Sequence, residues 1–318
     1  MYGHETTATF DCFGSSCSIV VSGGTDARSA AEAASFAERS LLGWHERFSR
    51  FKPESELSRL NRDPQREVPV SPLMARFAQA VVEAGAMTGG LVDGTLAKAI
   101  RIAGYTEDID RPLALQTALR LAPVRRPGGA ASGARWREIE VDLVHNTVTR
   151  PPGLELDSGG LAKGLFADVL GEALADHAAF AINCSGDLSL GGRALTRRQI
   201  KVESPFDGRT LHTFELAHTG VATSGIGRRS WLDHSGRPAH HLLDPATGKS
   251  AYTGIVQVTA LAPSALLAEI HAKAAILHGP RLASARLPHG GVIVCDDGSH
   301  QVIAPPPVIT LGELSCVA

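Results

Sequence analysis

No stretch of this sequence approaches the roughly 20 consecutive apolar residues that a membrane-spanning helix requires. Residues 1–14 lack a basic region leading into an apolar run, so we expect no signal peptide, no lipid anchor, no membrane insertion and a cytoplasmic location. Neither sign of charge is in excess. The 31 Lys and Arg against 33 Asp and Glu leave a net charge of −2, which removes the bulk electrostatic reason to expect nucleic acid as a partner. The five cysteines (Cys12, Cys17, Cys184, Cys295 and Cys316) are odd in number and scattered, without a CxxC pair or a zinc spacing, which predicts reduced thiols. No G-x-S-x-G elbow occurs, although Ser185 and Ser224 stand beside glycines, so a serine hydrolase has little support.

What is present is an ordinary globular chain. Its 318 residues, 43% apolar and 20% charged, suffice for one large or two modest domains with a sizeable core. Residues 10–22 end in SIVVSGG and read as a strand closed by a glycine turn, with Thr25 or Asp26 as the expected cap of a helix running to about Ser49. Ser71 before Pro72 predicts a helix that stops at Gly89-Gly90, and residues 112–122 suggest another. Residues 126–133, RPGGAASG, are the most linker-like segment. A hairpin is expected around His145-Asn146, a buried strand from Phe180 into a small-residue turn, and strand–turn–strand over 200–223. Residues 241–248 read as a strand broken at Pro245, and residues 255–261 as a strand followed by a helix from Pro263 or Ser264 to His278. A closing hairpin spans residues 292–303. Strands in hairpins with long, separate helices favour α+β over a doubly wound sheet.

Residues 154–176, LELDSGGLAKGLFADVLGEALAD, carry the strongest local signal. Ser158 reads as an N-cap, and Leu161, Phe166, Val169, Leu170, Ala173 and Leu174 fall on one helical stripe. Gly159-Gly160 would let the backbone approach a ligand, helix-start N–H groups suit a phosphate, and Lys163 would add a positive charge. A capped helix with a glycine turn and a solvated lysine fits the same residues. Three further segments, 91–95, 183–187 and 241–248, share the form of polar residues and glycine at a strand end, where sites are commonly built.

Taken together, these segments resemble the FAD:protein FMN transferase family, the ApbE-type flavin transferases. The matching pieces are SELSRLN (55–61), TGGLVDGT (88–95), LDSGGLAKG (156–164), INCSGD (182–187), VATSG (221–225), HLLDPATG (241–248) and the strand–helix over 256–279. They run in the family's order along nearly the whole chain, which implies a single ApbE-like domain over 1–318 with an internal linker near 126–133. The resemblance implies an α+β fold of mostly antiparallel sheets with packed helices. It also implies transfer of the FMN half of FAD onto a Ser or Thr of an acceptor protein, with release of AMP. FAD contacts are implied for Leu91, Val92, Asp93, Asp157, Lys163 and Leu243. Phe13 and Phe51 stand near the flavin, where the family often has methionine and tyrosine. His241 matches the histidine proposed as general base; without the resemblance it reads as a buried structural histidine.

The sequence departs from the family at the metal. The resemblance implies a magnesium ion held by a carbonyl of the glycine turn, here Gly160, and by an aspartate and a threonine of the last helix, here Glu269 and Lys273. A protonated lysine cannot ligate a hard cation. Three readings follow: the Lys273 ammonium takes the cation's place beside Glu269, a metal binds through altered ligands with help from Asp157 or His271, or Glu269 and Lys273 form an exposed i, i+4 pair worth about 0.2–0.5 kcal/mol. For the whole chain, a non-catalytic flavin-binding or delivery protein and an FAD pyrophosphatase stand as alternatives to the transferase.

Overall fold

The computed structural model describes residues 5–306 apart from 108 and 110; Cys316 lies outside them, and the other four cysteines are free thiols. The chain opens with a hairpin of β1 (Glu5–Cys12) and β2 (Ser15–Ser22), so residues 10–22 are two strands rather than one. Phe13 and Gly14 turn it with φ of 57° and 70°. Two successive left-handed residues match the twist of a two-residue hairpin, but phenylalanine is not a residue that announces such a turn. Helix α1 (Ala30–Phe48) starts later than Thr25 or Asp26. Ser29 and Glu32 form a capping box, while Thr25 accepts the Arg28 N–H in a preceding turn.

Next come α2 (Glu56–Arg62), β3 (Glu67–Pro69) and α3 (Pro72–Thr88), the last capped by Ser71 and ended by Gly89 in the left-handed region, as expected. After α4 (Ala97–Ile102) and α5 (Leu115–Leu121), strands β4 (Glu140–Asp142) and β5 (Thr147–Thr149) pair around the expected turn and join β3 in a small sheet. Helix α6 (Ala162–Leu174) leads into β6 (Ala179–Cys184), β7 (Asp187–Gly191), β8 (Arg198–Glu203), β9 (Thr210–Leu216) and β10 (Gly220–Gly225). Two short ladders follow, β11 (Ser230–Leu232) with β12 (Pro238–His240), and β13 (Leu243–Asp244) with β14 (Lys249–Ser250). The described chain ends with β15 (Ile255–Ala262), α7 (Ala265–His278), β16 (Gly291–Cys295) and β17 (His300–Ile303).

The main sheet has eight strands in the order β1-β2-β6-β7-β10-β15-β16-β17, every neighbouring pair antiparallel. One core packs α1, α3 and α6 on β2 and β6 through residues such as Leu41, Phe77, Phe166, Ile19 and Ile182. The other gathers Phe214, Val221, Val258, Val292 and Ile276. Helix α7 belongs to both, with Ile270 and Ala274 in the first and Ala272, Ala275 and Ile276 in the second. A helix apolar on nearly all sides is one that is buried. Its acidic and basic residues, Glu269 and Lys273, are carried inside with it.

Helices α6 and α7 are locked together. A Cβ on Gly164 would meet Ala265 O and Leu266 Cα at 2.8 Å, so only glycine permits this approach. Asp168 of α6 accepts the Ala265 and Leu266 N–H groups at 2.8 and 2.9 Å, and Ser264 accepts that of Leu267, which caps α7. The 126–133 segment is irregular and tied down by backbone bonds: Arg126 N–H to Tyr252 O, Gly128 N–H to Leu277 O and Ala246 N–H to Gly129 O.

Candidate functional site

The glycine turn before α6 is built differently from a simple cap. Residues Ser158–Gly160 form one 3-10 turn, α6 begins after Leu161 without a side-chain cap, and the Ser158 hydroxyl donates to Phe48 O at 2.7 Å. A good capping residue has been drawn off by a tertiary partner on α1. The stripe is correct at Leu161, Phe166, Leu170 and Leu174, whereas Val169 is half-buried and Ala173 is exposed beside Glu172. Lys163 is half-buried and paired, not solvated.

The turn faces two adjoining cavities, a narrow, mostly apolar one of about 140 Å³ and a larger, more polar cleft of about 830 Å³. Eleven of the twelve residues singled out from the sequence line the first: Phe13, Phe51, Leu91, Val92, Asp93, Asp157, Gly160, Lys163, His241, Leu243 and Lys273. The twelfth, Glu269, lines the second. Lys163, Lys273 and His241 line both and so mark where the two meet. Asp93 is tied into its own turn, its Oδ1 accepting the Thr95 N–H and hydroxyl at 2.8 and 2.6 Å.

Two ammonium groups and two carboxylates meet at this junction, with Lys273, Asp187 and Glu269 buried and Lys163 half-buried. Lys163 donates to Asp187 and lies 3.9 Å from Glu269 Oε1; Lys273 Nζ donates to the same Oε1 at 2.8 Å and to Ser224 Oγ at 3.4 Å. Glu269 Oε2 accepts the Gly164 N–H at 3.0 Å. Burial alone would lower the Lys163 pKa, but Asp187 and Glu269 more than offset it and hold the pKa above the ordinary lysine value. Burial likewise pushes the Glu269 carboxyl up, and the charges of Lys273 and Lys163 bring it below its ordinary value.

The exposed-pair reading of Glu269 and Lys273 is wrong, since they are 0% and 8% exposed. The residues also do not fit a divalent cation. Both Glu269 oxygens already accept hydrogen bonds, and the Lys273 stem lies beside the glycine turn, its Cε 3.7 Å from where a Gly160 Cβ would stand. A lysine nitrogen that keeps its proton has no lone pair to offer a metal. His271 turns toward His289, with ring centroids 6.3 Å apart, and lines neither cavity, while Asp157 faces Arg50. Among the described residues no group of three or more His, Cys, Asp or Glu is gathered as a metal site.

His241 Nδ1 lies 3.4 Å from Arg229 O. A nitrogen facing a carbonyl carries the proton, which leaves Nε2 with the lone pair. Burial first, then the charges of Arg229, His240 and Lys273, push its pKa well below the ordinary value, so the ring is neutral.

Residue-by-residue reading of the sequence missed Arg50, Tyr105, Asp187, Ser224 and Arg229 at this site. Asp187 and Ser224 sit inside matched segments, INCSGD and VATSG, so position could have flagged them. Arg50, Tyr105 and Arg229 lie outside those segments and reach the site only through the fold.

The chain matches the ApbE family model over residues 13–293. A FAD:protein FMN transferase of Salmonella typhimurium is 26% identical over 254 residues, covering 77% of this chain and 71% of the relative. Among solved structures, an ApbE protein of Thermotoga maritima superposes with a TM-score of 0.76 at 21% identity, over 94% of this chain and 97% of that one. The apo form of the Pseudomonas stutzeri flavinyl transferase ApbE gives 0.72 at 20% identity, over 95% and 96%. At these identities the structural likeness speaks for the fold, and the α+β architecture with mostly antiparallel sheets agrees with it. Since the family model also covers most of both cores and every residue of the two-cavity site named above, the chain belongs to the ApbE family.

Proposed function

We propose that this chain transfers the FMN part of FAD to a serine or threonine hydroxyl of an acceptor protein and releases AMP. The observation that carries this reading is the meeting of one neutral imidazole and two ammonium groups where the apolar cavity opens into the cleft. The acceptor oxygen forms a bond to the FMN phosphorus. The bond from that phosphorus to the bridging oxygen breaks, and AMP leaves with that oxygen. The hydroxyl proton passes to the unprotonated Nε2 of His241, since a neutral hydroxyl is a weak nucleophile that needs a base to take its proton. Lys163 and Lys273 face the negative charge that grows on the leaving phosphate. In this reading Lys273 stands in for a divalent cation, supplying one positive charge instead of two.

The test is incubation with FAD and an acceptor protein of a flavin transferase, with EDTA or with magnesium. The expected result is a flavin-fluorescent acceptor band on a denaturing gel and an equal amount of AMP. Absence of both under both conditions overturns the proposal. Free FMN with AMP and no labelled acceptor would make the chain an FAD pyrophosphatase. Tight FAD binding with no AMP would make it a flavin-binding or delivery protein.

A further inference from the structure

The narrow cavity contains a donor and an acceptor that the transfer chemistry does not use. Arg50 lies between α1 and α2, and both its Nη1 and Nη2 are buried without a hydrogen-bond partner. Asp157 Oδ1 is in the same condition and lies 3.8 Å from Arg50 Nη1, beyond hydrogen-bond reach. Both groups line the cavity. Neither is loosely held. The guanidinium centre stacks 4.2 Å from the Tyr105 ring centroid and 4.7 Å from that of Phe51. Tyr105 in turn stacks on Trp231 at 5.2 Å, and the Trp231 indole N–H donates to Ala103 O at 2.7 Å. The Asp157 backbone N–H donates to Gly94 O at 2.8 Å.

Buried polar groups are costly unless bonded, and a pair fixed just out of mutual reach gains most from a group that bridges it. The neighbouring walls, Leu96, Ile100 and Leu243, are apolar and suit the face of a ring. We infer that Arg50, with Asp157, reads the donor–acceptor edge of a flat nitrogen heterocycle in this cavity: an N–H on that edge, ring imide or exocyclic amine, donates to Asp157 Oδ1, and the adjacent acceptor, ring nitrogen or carbonyl oxygen, takes an Arg50 N–H. Arg50 thereby fixes which end of the dinucleotide enters. The inference rests on FAD being the substrate. Both ends of FAD carry such an edge, the amidine edge of adenine and the imide edge of the flavin, and the experiment separates them.

The full chain is titrated calorimetrically with FAD, AMP, riboflavin and inorganic pyrophosphate, as wild type, as Arg50→Met, which keeps an apolar stem, and as Arg50→Lys, which keeps the charge but not the fork. The expected result is FAD binding at least tenfold weaker in Arg50→Met, with Arg50→Lys between it and wild type. The same loss appears with only one of AMP and riboflavin, and pyrophosphate binding is unchanged. Unchanged FAD affinity in both variants, with a lower melting temperature, overturns the inference and leaves Arg50 as a structural pillar. A loss seen with pyrophosphate, or equally with AMP and riboflavin, overturns it as well. A wild type that binds neither FAD nor its parts overturns the flavin reading and this inference together, whereas wild-type FAD binding with no effect of either substitution overturns this inference alone. If Arg50→Met does not fold, Arg50→Lys carries the comparison.

Discussion

Lys273 is buried beside fixed partners, its Nζ donating to Glu269 and to Ser224. Replacing it by methionine removes the charge at similar volume and leaves the buried Glu269 carboxylate with Lys163 at 3.9 Å and one N–H. We expect Lys273→Met to lose about 3 kcal/mol in denaturant unfolding, the low end for breaking a buried pair, because that compensation remains. His241→Ala should keep its stability within about 1 kcal/mol and lower the rate of AMP release roughly 10²- to 10⁴-fold, the usual worth of a positioned base. The neighbouring His240 behaves differently. It is fully buried, edge-on to Tyr252 at 4.7 Å, and neither ring nitrogen makes a hydrogen bond of normal geometry. Burial pushes its pKa down to about 3, whereas in the unfolded chain it titrates near 6.5. The unfolded state therefore binds the extra proton between these values, and stability is complete above about pH 6.5 and falls as the pH drops toward 3. His240→Phe should flatten that acid-side loss in a pH series of unfolding midpoints; an unchanged slope would exclude His240 as its source.

At the scale of elements, the α6–α7 joint decides where the charged residues sit. Gly164→Ala adds a methyl that meets α7 backbone at 2.8 Å, and we expect a cost of about 1–3 kcal/mol with slower AMP release, because Glu269 and Lys273 move with α7. The control is Gly43→Ala in α1, where a Cβ would meet nothing within 4 Å; it should stabilise by about 0.5–1 kcal/mol and leave activity unchanged. Element by element, the sequence is legible where the signal is local. Ser71-Pro72 and Gly89 bound α3 as read, and Ser264 opens α7. It is illegible where tertiary structure competes. Ser158 gives its hydroxyl to Phe48 instead of a helix, and Phe13 takes a left-handed conformation that its side chain does not advertise. The S-x-x-E of Ser29 and Glu32 forms the capping box, a local signal that a start at Thr25 or Asp26 passes over.

For the molecule as a whole, the site lies where two cores share one helix, and much of it is assembled by sheet register. Asp187 reaches Lys163 because the turn between β6 and β7 puts it opposite the start of α6, a pairing across 24 residues that no spacing rule encodes. Glu269 and Lys273 were visible as an i, i+4 pair, but their burial follows from α7 being covered by both cores. A ligand spanning the junction should stabilise both cores together. FAD at 100 times its Kd should add about 2.7 kcal/mol and raise a single melting transition by a few degrees, with EDTA making no difference.

The central claim is that a built-in ammonium, not a metal ion, meets the pyrophosphate. Its most direct test is calorimetric titration with FAD in EDTA and in magnesium, on wild type and on Lys273→Thr. The wild type should bind FAD with the same affinity in both buffers, and Lys273→Thr should bind tightly only when magnesium is present. A wild type whose FAD affinity depends on magnesium, or a Lys273→Thr variant that binds FAD in EDTA as the wild type does, would contradict it.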